Sequence, residues 1–352
     1  MGEPSNPSRR RLLRTGAMAV AVAQLCSHSW AKARSDLSPL AHATIWLNSS
    51  PLTDLDFQGK IALIEFWTYS CINWRRQVPF VRAWAERYKK HGLVVVGVHS
   101  PEFSCERNVD NVRWASNDMH LPYPIAIDND YAVWRGFNNN YWPALYFIDA
   151  KGHIRGQVFG EGQYAQSESL IRKLLAEAGA KDIDDNLASV DARGPEAPPD
   201  WKDLRSEENY VGYKRTQNFA SPGGIKADKA HVYFPAKALE LNQWAIAGDW
   251  TMGSESIVSN RPDGSVSYRF HARDLHFVIG PAVPGKSVRF RLLLDGNPPG
   301  ADYGTDTDEQ GNGLVIEPRM YQLIRQQKSI LDRHFTIQFL DAGVAAYSFT
   351  FG

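Results

Sequence analysis

Cysteine is scarce in this sequence, and its scarcity limits the chemistry that the chain can perform. Three cysteines occur in 352 residues, and only Cys71 and Cys105 lie beyond residue 33. Two cysteines allow one bridge at most, so a structural disulfide framework is excluded. These cysteines and the ten histidines show neither C-x-x-C nor H-x-x-x-H spacing. The sequence therefore predicts no metal site and no cofactor.

Net charge and long hydrophobic runs are also missing. The 39 basic residues balance the 39 acidic ones, which gives no electrostatic reason to expect nucleic acid as a partner. Beyond the N-terminus, no apolar run reaches the ~20 residues that a membrane-spanning helix needs. A hydrophobic content of 43% with 11 tryptophans is ample for folded cores. At this length, two domains are expected.

The first 33 residues have the form of a twin-arginine export signal. Arg9, Arg10 and Arg11 precede an apolar stretch at 16–25, and small residues follow at the cleavage positions 31–33. A basic tail without structure is the alternative. Removal of residues 1–33 takes away five positive charges and one negative charge, which leaves a net charge near −4. We therefore expect a periplasmic or extracellular protein.

The stretch 61–80 organises the rest of the chain. Residues 61–67 form an apolar run with a single acid, Glu65, and predict a buried strand of a parallel sheet. Beyond Cys71, Val78, Val81 and Trp84 recur at helical spacing. The thiol of Cys71 is therefore expected at a helix N-terminus, where the helix dipole favours the thiolate and lowers the pKa of a cysteine.

The surroundings of Cys71 resemble the thioredoxin superfamily. Glu65 lies six residues before Cys71, where thioredoxins have a buried acid, and Pro79 lies eight residues after it, where they have a helix-kinking proline. Trp142 and Pro143 precede the predicted strand 144–148 and resemble the cis-proline turn that faces the thiol. The resemblance implies that Cys71 is the nucleophile, that Glu65 donates or accepts its proton, and that Pro143 shapes the substrate groove.

The sequence departs from the thioredoxin pattern at the second cysteine. The motif reads Cys71-Ile72-Asn73-Trp74, with tryptophan where the resolving cysteine belongs. A dithiol cycle within a Cys-x-x-Cys motif is therefore impossible. We expect Trp67, Trp74 and Trp142 to shape the site.

The order of predicted elements divides the chain into two domains. Strands and helices alternate to residue 178 with an antiparallel hairpin near the end, which favours an α/β thioredoxin-like domain over 38–180. Residues 181–202 are rich in Asp, Pro and Gly and predict an extended linker. Eight or nine short alternating runs then predict an all-β sandwich, of jelly-roll type, over 203–352.

This two-domain layout is similar to the exported part of DipZ-type proteins, in which a thioredoxin-like domain precedes a sandwich resembling carbohydrate-binding modules. The resemblance implies a membrane thiol-electron transporter and a carbohydrate as candidate partners. In the second domain, Tyr233, Trp244, Trp250 and Tyr268 are candidates for stacking on sugars. Sandwich cores use the same residue types, and the core assignment is favoured for each of them.

The sequence favours an oxidoreductase that acts as a monothiol, through Cys71, on thiols or disulfides of other exported proteins. Cys105 follows the predicted strand 93–98 and is the candidate resolving thiol; an outside thiol is the other choice. One alternative is a redox-inactive thioredoxin scaffold with a carbohydrate- or cell-wall-binding sandwich. Another is a one-cysteine thiol peroxidase, for which Thr68 fits the pattern but Ile64 stands where peroxiredoxins have proline.

Overall fold

The computed structural model describes residues 35–184 and 186–352. The export signal predicted for residues 1–33 lies outside this part of the chain. Residues Ser35–Gly352 form one compact unit that contains a six-stranded and an eleven-stranded sheet. No helix within the described ranges is long and apolar enough to cross a membrane.

The first sheet has the mixed topology of a thioredoxin-like domain. Its strands run in the order β1-β4-β3-β2-β5-β6, with β2, β3 and β4 parallel and the remaining pairings antiparallel. The strands are β1 (Ile45–Leu47), β2 (Ile61–Trp67), β3 (Leu93–His99), β4 (Ile125–Ile127), β5 (Ala144–Ile148) and β6 (Ile154–Phe159). The helices are α1 (Ile72–Tyr88), α2 (Val109–Asp118), α3 (Ala132–Gly136) and α4 (Tyr164–Glu177).

Both faces of the central strand β2 are covered, which is why its sequence is continuously apolar. All seven of its residues are buried. Ile61, Leu63 and Trp67 pack into a core that includes residues of α1, α2 and α4, and the alternate side chains pack into a core on the opposite face. Because side chains alternate along a strand, Glu65 points to the same face as Trp67, beneath α1.

The α/β domain agrees closely with the sequence prediction. Predicted strands 61–67 and 144–148 are confirmed with the same bounds. After β3 the chain forms a 3-10 helix, Ser104–Arg107, and then α2. Asn108 separates them because its side chain accepts a hydrogen bond from the Asp110 backbone N–H at 2.9 Å and so caps α2.

The second sheet folds into the β-sandwich that the sequence predicts. Two of its strands, β7 and β10, are short and were not expected. The strands are β7 (Asn209–Tyr210), β8 (Ala230–Tyr233), β9 (Trp244–Met252), β10 (Ile257–Ser259), β11 (Gly264–Phe270), β12 (Asp274–Pro281), β13 (Val288–Leu294), β14 (Asn312–Val315), β15 (Arg319–Arg325), β16 (Arg333–Phe339) and β17 (Val344–Phe351).

Strand β9 connects the two layers of the sandwich. Its first half pairs with β11 and its second half pairs with β10 and β8. Gly248, between the halves, has a φ of 98°, in the left-handed region that side chains disfavour. A Cβ atom at Gly248 would also lie only 3.0 Å from Cα of Gly264. Glycine therefore allows both the bend and the close approach of β11.

The aromatic residues considered for sugar stacking belong to the sandwich core. Tyr233, Trp244, Trp250 and Tyr268 are each at most 2% exposed. The indole of Trp244 also donates to the carbonyl oxygen of Gln217 at 3.0 Å. These four rings therefore have no face available for a sugar.

The segment between the domains is tied to both of them. Within the described part of residues 181–202, the regular structure is one 3-10 turn, Gly194–Glu196. Glu196 forms an ion pair with Arg82 of α1 at 2.8 Å. The carbonyl oxygen of Pro198 accepts a hydrogen bond from Arg273 of the sandwich at 2.8 Å. These contacts fix the segment against α1 on one side and the sandwich on the other.

Candidate functional site

Cys71 lies where strand β2 leads into α1, as predicted. It is the N-cap residue of α1, with extended backbone angles, and its carbonyl oxygen accepts the first helical hydrogen bond from Arg75 at 3.0 Å. Its side chain is half-buried and lines a cleft of about 630 Å³. The thiol is therefore placed between the helix N-terminus and an opening to solvent.

Trp74 points away from this cleft and into the core. It is fully buried and stacks on Trp67, with ring centroids 4.3 Å apart. A close approach of β3 makes room for the pair, because a Cβ at Gly97 would lie 2.8 Å from Nε1 of Trp67. Trp74 therefore fills the core beneath the motif and leaves Cys71 at the surface of the cleft.

Glu65 is held by three donors, and Cys71 is not one of them. Its carboxylate accepts hydrogen bonds from Trp74 Nε1 at 3.0 Å, Gln77 Nε2 at 2.9 Å and the Tyr123 hydroxyl at 2.9 Å. Burial raises the pKa of Glu65 to about 7, although the three hydrogen bonds oppose the shift. The expected proton link between Glu65 and Cys71 has no direct hydrogen bond to support it.

The predicted proline turn is present beside the cleft. The peptide bond between Trp142 and Pro143 is cis. Pro143 is buried, and its carbonyl oxygen accepts a hydrogen bond from the Gly160 N–H at 2.8 Å. Trp142 lines the cleft and is fixed by a hydrogen bond from its Nε1 to the carbonyl oxygen of Ser100 at 3.0 Å. Trp142 therefore forms part of the wall, and Pro143 lies behind it.

The pKa of Cys71 differs in direction from the sequence expectation. Burial raises it well above the usual value for a thiol, and the carboxylates of Glu102 and Glu208 raise it further. The backbone N–H groups of Asn73 and Trp74 act in the opposite direction but do not outweigh burial. The expectation of a lowered pKa was wrong because it considered the helix N-terminus but neither the burial of the thiol nor the nearby carboxylates of Glu102 and Glu208.

Cys105 does not line the cleft. It lies in the 3-10 helix Ser104–Arg107 as a half-buried free thiol, and Cys71 is also free. The Tyr69 hydroxyl hydrogen-bonds to the Cys105 carbonyl oxygen at 3.4 Å, and burial raises the pKa of the Cys105 thiol to about 12. Its role as a resolving thiol stays a prediction.

The second domain supplies one side of the cleft, which sequence reasoning missed. The α/β domain contributes residues 71–73, Arg76, Glu102 and 140–142. The other lining residues are Trp201, 204–208, Tyr210, Arg215 and 350–351. Binding sites commonly form between domains, and here the Cys71 thiol of one domain lines a cleft with side chains of the other.

A small apolar cluster holds the sandwich against the Cys71 motif. Ile72 and Phe103 pack with Val278, Met320 and Tyr347 of the sandwich. The rings of Phe103 and Tyr347 are 5.1 Å apart. This cluster explains why Ile72 is buried although it follows the cleft-lining Cys71 directly.

Arg76 adds a polar tie between the domains. It forms a buried ion pair with Glu161 at 2.9 Å. Its Nη2 also donates to the carbonyl oxygen of Phe351, in the last sandwich strand, at 3.2 Å. The guanidinium thus links the first turn of α1 to the sandwich across the edge of the cleft.

Two carboxylates from different domains meet at a tyrosine in the cleft. The Tyr210 hydroxyl lies 2.7 Å from Oε1 of Glu102 and 3.1 Å from Oε2 of Glu208. Arg215 pairs with Glu102 at 2.9 Å and stacks 3.3 Å above the Tyr210 ring. Glu208 is solvent-exposed as a residue. Its pKa is nevertheless raised, first by desolvation of the carboxylate by surrounding protein atoms and then by the negative charge of Glu102. The hydroxyl has one proton, so Tyr210 cannot donate to Glu102 and Glu208 at the same time.

Of Glu102, Glu208 and Tyr210, only Glu102 could have been placed near Cys71 from the sequence. Glu102 follows β3 as Cys71 follows β2, and the carboxyl ends of neighbouring parallel strands meet at one edge of the sheet. Glu208 and Tyr210 reach the cleft through the packing of the second domain, for which the sequence carries no local pattern.

Comparison with known proteins agrees with this architecture. Residues 47–157 match the AhpC/TSA family, and residues 206–352 match the family described as thioredoxin like C-terminal domain. Protein DipZ of Mycobacterium tuberculosis is 36% identical over 242 residues, which cover 67% of this chain and 34% of DipZ. The chain thus spans about a third of the length of this relative.

Two smaller proteins are similar to the first domain. The thiol-disulfide oxidoreductase YkuV of Bacillus subtilis is 28% identical over 146 residues, which cover 42% of this chain and 98% of YkuV. A thioredoxin-like protein in the oxidized form, solved in solution, is 30% identical with a TM-score of 0.36 and covers 38% of this chain and 90% of its own. The matches show that residues 47–157, in the thioredoxin-like α/β domain, are similar to the AhpC/TSA family, that residues 206–352, which form the β-sandwich, are similar to the thioredoxin like C-terminal domain, and that the chain is similar to DipZ over 67% of its length.

Proposed function

We propose that the protein is a monothiol thiol-disulfide oxidoreductase whose nucleophile is Cys71. The observation that carries the proposal is the placement of Cys71 at the N-terminus of α1, in the cleft, with Trp74 buried where a second cysteine would stand. Relatives named thiol-disulfide oxidoreductases, YkuV and ResA, support a redox function of this kind.

The reaction exchanges one disulfide for another. The Cys71 thiol loses its proton, its sulfur attacks a substrate disulfide, and the substrate S–S bond breaks as the Cys71–substrate bond forms. The released substrate thiolate takes up a proton, so electrons and protons balance. Glu208 is the cleft carboxylate suited to carry that proton, because its raised pKa lies closer to neutrality. Glu65 accepts a hydrogen bond from Trp74 and so fixes the indole in the core beneath the Cys71 motif.

The substrates are thiols or disulfides of other exported proteins, outside the cytoplasm. The twin-arginine pattern at residues 9–11 supports export. A membrane thiol-electron transporter is one candidate for the reductant that returns oxidised Cys71 to its thiol form. This assignment rests on the resemblance to DipZ-type proteins.

A redox-inactive scaffold is the second candidate function. The raised pKa of Cys71 favours it, since the neutral thiol is a poor nucleophile. Its ligand would be a carbohydrate or cell-wall polymer. The same raised pKa weakens the one-cysteine peroxidase, because peroxide also requires the thiolate.

Trapping a mixed disulfide tests the proposal. The reduced full chain carrying Cys105→Ser is incubated with insulin, quenched with acid and measured by intact mass, with Cys71→Ser as the matched control. We expect an insulin-chain adduct on Cys71 that accumulates because no internal thiol releases it. Cys71 that stays unmodified even at alkaline pH overturns the proposal and supports the scaffold. Rapid sulfenic acid formation with peroxide, without a mixed disulfide, supports the peroxidase.

A further inference from the structure

We infer that the cleft between the domains binds a small zwitterionic thiol, which attacks the mixed disulfide at Cys71 and so acts as the resolving thiol. The inference rests on the proposed function, because it requires Cys71 to form that mixed disulfide. It adds a second substrate and a binding site for it.

The Cys71 motif contains no thiol that completes the exchange. Trp74 occupies the position of the resolving cysteine, and it is buried in the core. Cys105 packs instead in the apolar cluster with Phe103 and Tyr347, away from the cleft lining. A thiol that reaches a mixed disulfide at Cys71 through the cleft must come from outside the chain.

The size of the cleft fits a small molecule. Its volume of about 630 Å³ lies within the range of about 300–1,000 Å³ usual for small-ligand pockets. Aromatic side chains line the cleft from three parts of the chain: Trp142 from the α/β domain, Trp201 from the segment between the domains, and Tyr210 from the sandwich. The sandwich packs against Ile72 and Phe103, so the cleft beside Cys71 is bounded by both domains.

The charges of the cleft favour a ligand with both signs. Arg76 and Arg215 are already paired, with Glu161 and Glu102. The segment 205–208 differs: within the described part of the chain, no ion pair is formed by Arg205, Glu207 or Glu208. Arg205 offers a guanidinium for a carboxylate, and Glu207 and Glu208 offer carboxylates for an ammonium group. An amino-acid thiol carries both groups close to its sulfur.

The resolving step is a second thiol-disulfide exchange. The bound thiol attacks Sγ of Cys71, the bond from Cys71 to the substrate breaks, and the substrate leaves as a thiolate that takes the proton of the attacking thiol. Attack on this sulfur is favoured because Cys71 is the poorer leaving group. A second molecule of the small thiol then attacks the sulfur of the small thiol bound to Cys71, the bond to Cys71 breaks, the Cys71 thiolate takes up the proton of the attacking thiol, and the symmetrical disulfide leaves. Two small thiols are oxidised and one substrate disulfide is reduced.

A chromogenic adduct makes this step measurable. Cys71 of the full chain with Cys105→Ser is converted at alkaline pH to its mixed disulfide with thionitrobenzoate. The coloured thiolate is then released with four thiols: cysteine, cysteamine, N-acetylcysteine and mercaptoethanol. Each rate is divided by the rate of the same thiol with a thionitrobenzoate disulfide of mercaptoethanol, which removes differences in intrinsic reactivity.

We expect cysteine to show saturation and a normalised rate about tenfold or more above mercaptoethanol, where each factor of ten corresponds to ~1.4 kcal/mol. The singly charged thiols fall between them. Arg205→Gln should remove the advantage of the carboxylate-bearing thiols, and Glu208→Gln that of the amino-bearing ones. Arg113→Gln, an exposed arginine of α2 outside the cleft, is the matched control and should change neither.

Two failures are distinguishable. If Cys71 forms the adduct but all four thiols release it in proportion to their concentration, with equal normalised rates, the inference is overturned and the proposed function stands. If Cys71 forms no adduct, the proposed function fails and the inference fails with it.

Discussion

The indole Nε1 of Trp74 donates a hydrogen bond to Oε1 of Glu65 at a distance of 3.0 Å. The residue that replaces a resolving cysteine thus binds the buried acid that the thioredoxin resemblance links to cysteine chemistry. The acid and the tryptophan stabilise each other inside the core, and the acidic neighbours of the Cys71 thiol are the carboxylates of the cleft.

The raised pKa of Glu65 predicts a stability change with pH. Its folded-state pKa of about 7 exceeds the model-compound value of 4.5, so the folded protein binds more protons between these values. The free energy of unfolding therefore falls as pH rises through this window. Urea denaturation across the window should show a smaller slope for Glu65→Gln than for the wild type. Equal slopes for the two proteins would show that Glu65 titrates normally.

Burial and the nearby carboxylates predict that the Cys71 thiol reacts slowly with alkylating reagents near neutral pH. Its alkylation by iodoacetamide, measured with Cys105→Ser, should have a midpoint above the ~8.5 of a free cysteine. Glu208→Gln should lower that midpoint and speed labelling near neutral pH, because one repelling carboxylate is removed. Glu309→Gln, an exposed acid outside the cleft, is the control. An unchanged midpoint in Glu208→Gln would show that the Glu208 carboxylate does not raise the pKa of Cys71.

The apolar cluster between the domains predicts a linked loss of stability and of Cys105 protection. Phe103 is 3% exposed, and its removal in Phe103→Ala should lower the free energy of unfolding by about 3–5 kcal/mol. Cys105, which packs against this cluster, should then be alkylated faster in a Cys71→Ser background. Phe234→Ala, at a ring that is 66% exposed, should change both by little. Unchanged Cys105 labelling would show that the cluster does not protect it.

Gly248 and Gly343 form a matched pair for the bend in β9. Both have positive φ, of 98° and 87°, but only at Gly248 would a Cβ meet backbone, at 3.0 Å from Gly264. Alanine should destabilise the protein at both positions by about 1 kcal/mol or more, and at Gly248 by the larger amount. Thermal or urea denaturation measures the difference. Equal losses of unfolding free energy would show that β11 moves away from the added Cβ atom at no energetic cost.

The sequence predicted the elements well because their patterns are local. The continuous apolar run of β2 and the helical spacing of Val78, Val81 and Trp84 depend only on which faces are buried. The position of Cys71 followed from the same patterns. Strands β7 and β10 were missed because two or three residues are too few to show a period.

The chemistry of the site could not be predicted in the same way. The pKa of Cys71 is raised mainly by burial and further by carboxylates that include Glu208, which lies far along the chain and reaches the cleft through domain packing. Likewise, the partners of Glu65 follow from the rotamers of Trp74 and Tyr123 in a closed core. Contacts between domains leave no periodic pattern in the sequence, so the approach of Glu208 and Tyr210 to Cys71 could not be predicted.

Ile72 connects Cys71 to the sandwich that packs against it. It follows Cys71 in the chain and packs in the cluster with Val278, Met320 and Tyr347. Docking of the sandwich and modification of Cys71 therefore share a coupling free energy, which is reciprocal by thermodynamic necessity. If an adduct at Cys71 weakens docking of the sandwich by a given free energy, docking destabilises the adduct by the same free energy. A force or ligand that separates the domains would thereby shift the reduction potential of the mixed disulfide.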